Sequence, residues 1–222
     1  MLLIYQSTIL LRILITLDST GDIDMPSEVD GDQWNLELLY DALGKLFMFI
    51  NAYLLQATTN EVAIYGSFAH ESVFLGPNPD DLVHLNYASF SKKVMNRIIE
   101  LYANEEFQKK MSESKTQDTS KIGSALKKSN WYINNWKLRS SRTELSTVAD
   151  INNMSSLMNH SARILIFQVS KDNNDDYNSM VNCIFACQKN NVVIDSIIYN
   201  QKDSILLQQW AYLTNGTSRN NI

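Results

Sequence analysis

Apolar residues along this chain fall alternately into strand-length runs and helix-spaced stripes. Residues 9–17 are apolar except for Arg12 and Thr16, and the run ends abruptly in Asp18-Ser19-Thr20-Gly21-Asp22. So little polar alternation suits a strand covered on both faces, as in a parallel sheet flanked by helices. Leu36, Leu39, Leu43, Leu46, Phe47, Ile50 and Leu54 recur at three- and four-residue steps, which predicts an amphipathic helix over 33–55 with Asp32 as its N-cap. Residues 61–67 and 71–75 read as strands. The three residues between them are too few for a helical crossover, so the pair is expected to be antiparallel, at one edge of the sheet. Gly76-Pro77-Asn78-Pro79 then stops regular structure.

Helical spacing returns at 94–107 through Val94, Ile98, Leu101 and Tyr102, and again over 123–136. Residues 108–120 are polar. Residues 137–160, rich in Ser, Asn and Thr, are expected to form a loop with at most one helical turn. A second central strand is predicted at 163–169, a helix at 177–189, a strand at 192–199, and a last helix at 204–215 capped by Asp203, with Gly216 at its C′ position. The order implies one domain over 1–222: an α/β, doubly wound, mostly parallel sheet with one antiparallel edge strand and right-handed crossovers.

Composition narrows the function classes. A net charge of −5 over 222 residues and a pI near 5.2 give no global field for nucleic acid or an anionic membrane. Two cysteines cannot make a disulfide framework and fit a reducing compartment. The apolar N-terminal run lacks a basic start and a small-residue cleavage site, so it reads as a core strand rather than a targeting segment. The expectation is a soluble cytosolic or nuclear protein.

In open α/β sheets the carboxyl ends of the central strands face the ligand crevice. Asp18, Thr20 and Asp22 are predicted to lie there, and three oxygen-bearing side chains at alternate positions can hold a divalent cation. The competing reading is an Asp-capped turn. From Lys121 to Arg142 there are Lys121, Lys127, Lys128, Lys137, Arg139 and Arg142 with no acid, interleaved with Trp131, Tyr132 and Trp136. That composition suits either base stacking with phosphate tracking or a partner-binding helix, and the acidic total favours the second. Cys183 and Cys187 share a helix face; with His70, His84 and His160 scattered, core packing is expected rather than zinc. Ser67, His70 and Glu71 lie together but without a nucleophile elbow, and no Gly-rich phosphate loop is present.

Several blocks, in order, carry a resemblance. They are Leu46 to Leu55 followed by Asn60-Glu61-Val62-Ala63-Ile64, then Gly123-Ser124-Ala125-Leu126, Asn182-Cys183-Ile184-Phe185-Ala186-Cys187-Gln188-Lys189, Val193-Ile194-Asp195, Leu206-Leu207-Gln208-Gln209 and Thr214-Asn215-Gly216. The antiparallel third strand and the acidic turn after the first resemble the von Willebrand factor A fold. The blocks resemble its small A-domain subunit family in TFIIH, the general transcription and nucleotide-excision-repair factor.

The resemblance implies a nuclear, non-catalytic scaffold of the TFIIH core that binds a larger zinc-bearing subunit, with nucleic acid met only through the complex. It also implies a further strand, helix and zinc module after Gly216, so the sheet is expected to lack its last strand and no zinc is assigned to this chain. The A-domain Mg²⁺ motif is degraded here. Asp18 is followed by an Asp at the last ligand position, the distant hydroxyl falls to Thr119 or Ser124, and Gln168-Val169-Ser170 offers no carboxylate; Mg²⁺ is therefore not expected. The exposed residues expected to meet the partner are Ala125, Lys128 and Tyr132. The alternatives are a metal-dependent ligand-binding A domain through Asp18, Thr20 and Asp22, and weak nucleic-acid binding through 121–142.

Overall fold

The computed structural model describes residues 9–16, 36–56, 60–68, 70–76, 87–113, 122–145, 161–168, 177–199 and 204–221. In chain order the elements are β1 (Ile9–Thr16), α1 (Leu36–Gln56), β2 (Glu61–Ser67), β3 (Ser72–Gly76), α2 (Tyr87–Ala103) and α3 (Glu105–Glu113), followed by α4 (Ile122–Leu145), β4 (Ser161–Gln168), α5 (Tyr177–Lys189), β5 (Val192–Tyr199), α6 (Ile205–Leu213) and β6 (Ser218–Asn221).

The strands form one sheet in the order β3-β2-β1-β4-β5-β6. The apolar first run is central: β1 pairs in parallel with β2 on one side, Leu10 opposite Glu61, and with β4 on the other, Leu10 opposite Ala162. β3 is antiparallel to β2, as the three-residue link requires, with a bulge at Ile64/Tyr65. Helices cover both faces in the doubly wound, von Willebrand factor A-like arrangement. One core lies under α1, α2 and α3 and takes Leu43, Ile50, Val94, Phe107, Leu165 and Phe167. The other lies under α4, α5 and α6 and takes Leu126, Ile133, Ile164, Ile184, Ile194 and Trp210. Residues 164 to 167 alternate between the two cores, as the twofold period of a strand dictates.

Five expectations are corrected. The helix over 94–107 is two helices: Asn104 breaks it, and its Oδ1 accepts from the amides of Glu106 (2.9 Å) and Phe107 (3.3 Å), capping α3. α4 runs on to Leu145 through the expected loop; Lys137, Leu138 and Arg139 are good helix formers even where no apolar stripe marks them. Ser204, not Asp203, caps α6: its hydroxyl accepts from Leu207 N. At the other end of α6 Asn215, at φ 59°, takes the left-handed C′ place, and Gly216 sits one residue beyond. Asn215 N donates to Tyr212 O and Gly216 N to Ala211 O, which is the Schellman pattern. Glycine serves another need there: a Cβ on Gly216 would lie 1.9 Å from Ile194 O. The last strand, expected to be missing, is present as the four residues of β6, parallel to β5 with Ser196 opposite Ser218.

Asp195 and Thr214 anchor that edge. Asp195 accepts from Thr217 N (2.9 Å) and binds the Arg163 guanidinium through both oxygens. Thr214 Oγ1 accepts from Ile194 N (3.0 Å) and donates to Trp210 O, pinning the end of α6 to β5. Among the described residues no helix is long and apolar enough to cross a membrane.

Candidate functional site

α4 is built from two kinds of residue set at helical phase. Ile122, Ala125, Leu126, Ser129, Ile133 and Trp136 recur at three- and four-residue steps and are buried against the sheet. The opposite side presents Lys127, Lys128, Asn134 and Arg139 to solvent, together with Trp131 (67% exposed) and Leu138 (58% exposed). Of the residues expected to meet a partner, Ala125 is fully buried and cannot do so. Lys128 is exposed, and Tyr132 is half-buried at the margin of the core. Position 125 lies at the edge of the arc marked by Ile122, Leu126, Ile133 and Trp136, about 20° beyond Trp136 on a helical wheel, so its side was not fixed by the pattern alone.

Polar contacts hold the helix in place. The Lys128 ammonium donates to Ser72 O, and Ser72 Oγ lies 3.1 Å from Ser124 Oγ, tying α4 to the edge strand β3. Ser124, one candidate for the distant metal hydroxyl, is thus part of this packing contact. Lys137 donates to Asn190 O (2.8 Å), and Asn190 Nδ2 donates to Asn134 Oδ1, fastening α4 to the end of α5. Partial burial lowers the pKa of Lys137. The Arg139 guanidinium lies 5.8 Å from the centre of the Tyr132 ring, a cation–π arrangement that orients both.

Cys183 and Cys187 point inward at the same α4–α5 seam, buried and without a disulfide. Cys183 Sγ lies 3.8 Å from Gly123 O. Burial pushes the Cys187 thiol up to about 12, with Cys183 adding to the shift, so it is a core group rather than a nucleophile or thiolate ligand. Among the described residues no three His, Cys, Asp or Glu side chains gather as a metal site. Asp18, Thr20, Asp22 and Thr119 lie outside the described residues.

The Ser67, His70 and Glu71 constellation does not assemble as a triad. Ser67 is wholly buried and its hydroxyl meets no partner. His70 Nε2 is 3.3 Å from Glu71 Oε1, while its ring packs edge-on against Phe107 at 4.6 Å. Among the described residues no base reaches the serine, so this turn is a packing feature.

Sequence reasoning also missed exposed aromatics on the neighbouring helices. Phe185 on α5 is 58% exposed and Tyr212 on α6 is 83% exposed. Phe185 falls between buried Ile184 and Cys187, and only the phase of α5 against the sheet separates them.

With this geometry in hand, comparison with known proteins is informative. General transcription factor IIH subunit 3 of Dictyostelium discoideum is 31% identical over 189 residues, spanning 78% of this chain and 46% of that protein. General transcription and DNA repair factor IIH subunit TFB4 of Debaryomyces hansenii is 27% identical, spanning 77% of this chain and 57% of that protein. The chain therefore spans about half the length of these curated relatives. The crystal structure of the TFIIH p34 N-terminal domain superposes with a TM-score of 0.68 at 23% identity, covering 96% of this chain and 90% of that one, and supports the fold. The family described as transcription factor Tfb4 matches residues 17–220, and the chain belongs to that family.

Proposed function

We propose that this chain is a non-catalytic scaffold subunit of the TFIIH core, acting in the nucleus in RNA polymerase II transcription initiation and nucleotide-excision repair. Its role is to bind the larger zinc-bearing subunit through the solvent face of α4. The observation that carries this reading is the exposed row Lys127, Lys128, Trp131 and Leu138 on a helix whose other side is locked into the core. A large ring and basic groups on a rigid, pre-positioned helix are what protein interfaces use as anchors. Family membership and the names of the relatives point to the complex.

The test is co-purification. Trp131→Asp together with Lys127→Glu should remove the chain from the TFIIH core while its melting temperature stays close to that of the unchanged chain. Retention of the variant at the unchanged level would place the contact elsewhere and discard the α4 assignment.

A further inference from the structure

The two helical layers differ in charge. α1, α2 and α3 carry Glu37, Asp41, Glu100, Glu105, Glu106 and Glu113 among their lysines and Arg97. α4, α5 and α6 carry one carboxylate between them, Glu144 in the last turn of α4. Yet the chain as a whole is acidic, at −5. Among the described residues, the exposed cations on this side are Lys127, Lys128, Arg139 and Lys189, set among exposed Trp131, Phe185 and Tyr212 and the amides Asn134, Gln188 and Gln208. Both α4 and α5 contribute cations, and the Lys137–Asn190 and Asn134–Asn190 contacts hold those helices side by side.

We propose that the α4–α5–α6 face docks an acidic polypeptide segment. Its carboxylates meet Lys127, Arg139 and Lys189, and its apolar side chains cover Trp131 and Phe185. The proposal rests on the scaffold reading above and adds the chemistry of the partner. Charge complementarity carries it, because three helices with a single carboxylate among their described residues and exposed cations on two of them draw an acidic chain by long-range attraction. The stacking of Arg139 on Tyr132 presents its guanidinium in a set orientation, which suits a planar carboxylate.

A nucleic acid would fit less well. Lys128 and Lys137 already donate to Ser72 O and Asn190 O, and α6 bears no cation at all. A phosphate backbone needs a continuous line of positive charge. Exposed Leu138, Ile205 and Leu213 are partners for aliphatic side chains rather than for bases.

The test uses the TFIIH core purified with this chain in it. A zero-length carbodiimide joins a lysine amine to a carboxylate only where the two are in contact. Mass spectrometry should find Lys127 or Lys189 joined to an Asp or Glu of another subunit. Lys127→Glu with Arg139→Glu should weaken retention about tenfold, and retention of the unchanged chain should fall as salt rises, whereas Lys127→Arg alone should retain it. A complex that assembles but gives no such cross-links, with salt-independent retention, overturns the acidic partner and leaves the scaffold reading standing. A chain that never enters the complex removes both. Tight, salt-sensitive binding of an oligothymidine single strand to the chain, lost in the charge-reversed variant, would also overturn the proposal and assign the face to nucleic acid.

Discussion

The layer of α1, α2 and α3 intersperses its cations with carboxylates and gathers an aromatic group in its core, with Phe49 the ring it exposes at 46% among the described residues; the layer of α4, α5 and α6 carries one carboxylate and exposes Trp131, Phe185 and Tyr212. On the first side Phe107 is the hub of an aromatic group, edge-on to Phe68 at 5.0 Å and near Tyr102 at 6.1 Å. Its solvent surface closes charges on themselves, as in Asp41 with Lys45 (2.7 Å) and Arg97 with Glu100 (3.2 Å). On the second side the core under the helices includes Ala125, Cys183, Cys187 and Ile133, while Trp131, Phe185 and Tyr212 face solvent. The contrast teaches that one layer mixes both signs of charge on its surface and the other presents cations and rings with a single carboxylate in its helices, which is where a scaffold meets its neighbours.

The strongest way to break the comparison is at Phe107. Phe107→Ala empties the hub of the first layer and should cost about 3–5 kcal/mol, read by denaturant unfolding. A loss below about 1 kcal/mol would show that the aromatic group does not hold that layer. Trp131→Ala should show the opposite pattern. Stability should change by less than about 0.5 kcal/mol, while association with the core weakens by about 2 kcal/mol or more, read by competition with the unchanged chain. Equal losses in both assays would mean that the ring is structural.

A smaller effect appears in alkali. Burial raises the Cys187 thiol from its ordinary 9.0 to about 12, so between those values the unfolded chain loses a proton that the folded chain keeps. The folded state then binds more protons, and this group's contribution to stability falls as pH rises above 9.0. Lys137 acts in the opposite direction: burial lowers its pKa, so its contribution rises with pH through its own range. Cys187→Ala should remove the falling component. Denaturant midpoints of the two chains should converge as pH climbs from below 9.0, and parallel profiles would contradict the burial of this thiol in the folded state. The smallest effect is expected at the first layer's surface, where Lys45→Ala breaks an exposed pair and should shift stability by less than about 0.5 kcal/mol.

Much of this architecture was readable because it follows from short-range constraints. The spacing of Ile122, Leu126, Ile133 and Trp136 marks the inner side of α4 without reference to anything else. The hairpin at β2–β3 follows from a link too short to cross over. What escaped was set by competition between nearby residues of similar type. Asn104 lies inside a helical pattern, and whether it continues the helix or caps a new one depends on the pull of Phe107 into the aromatic group. Asn215 and Gly216 both tolerate a left-handed backbone; the approach of Ile194 O gives the glycine the place where no Cβ fits. The candidate site was legible as a basic, aromatic segment, but its outward row was not, because Ala125 is small enough for either side.

The strand character of the apolar runs, the two-sided burial of the central sheet and the inward place of the cysteines came from the chain alone, since each reflects where apolar residues recur at the period of an element. Which rings face water was decided by the tertiary structure. Trp131 and Trp136 are chemically identical and five residues apart, about 140° around a helix of 3.6 residues per turn. Only the docking of α4 against the sheet places one in the core and the other on the surface. The same packing sets α4, α5 and α6 side by side, and so gathers cations and rings distant in sequence onto one face.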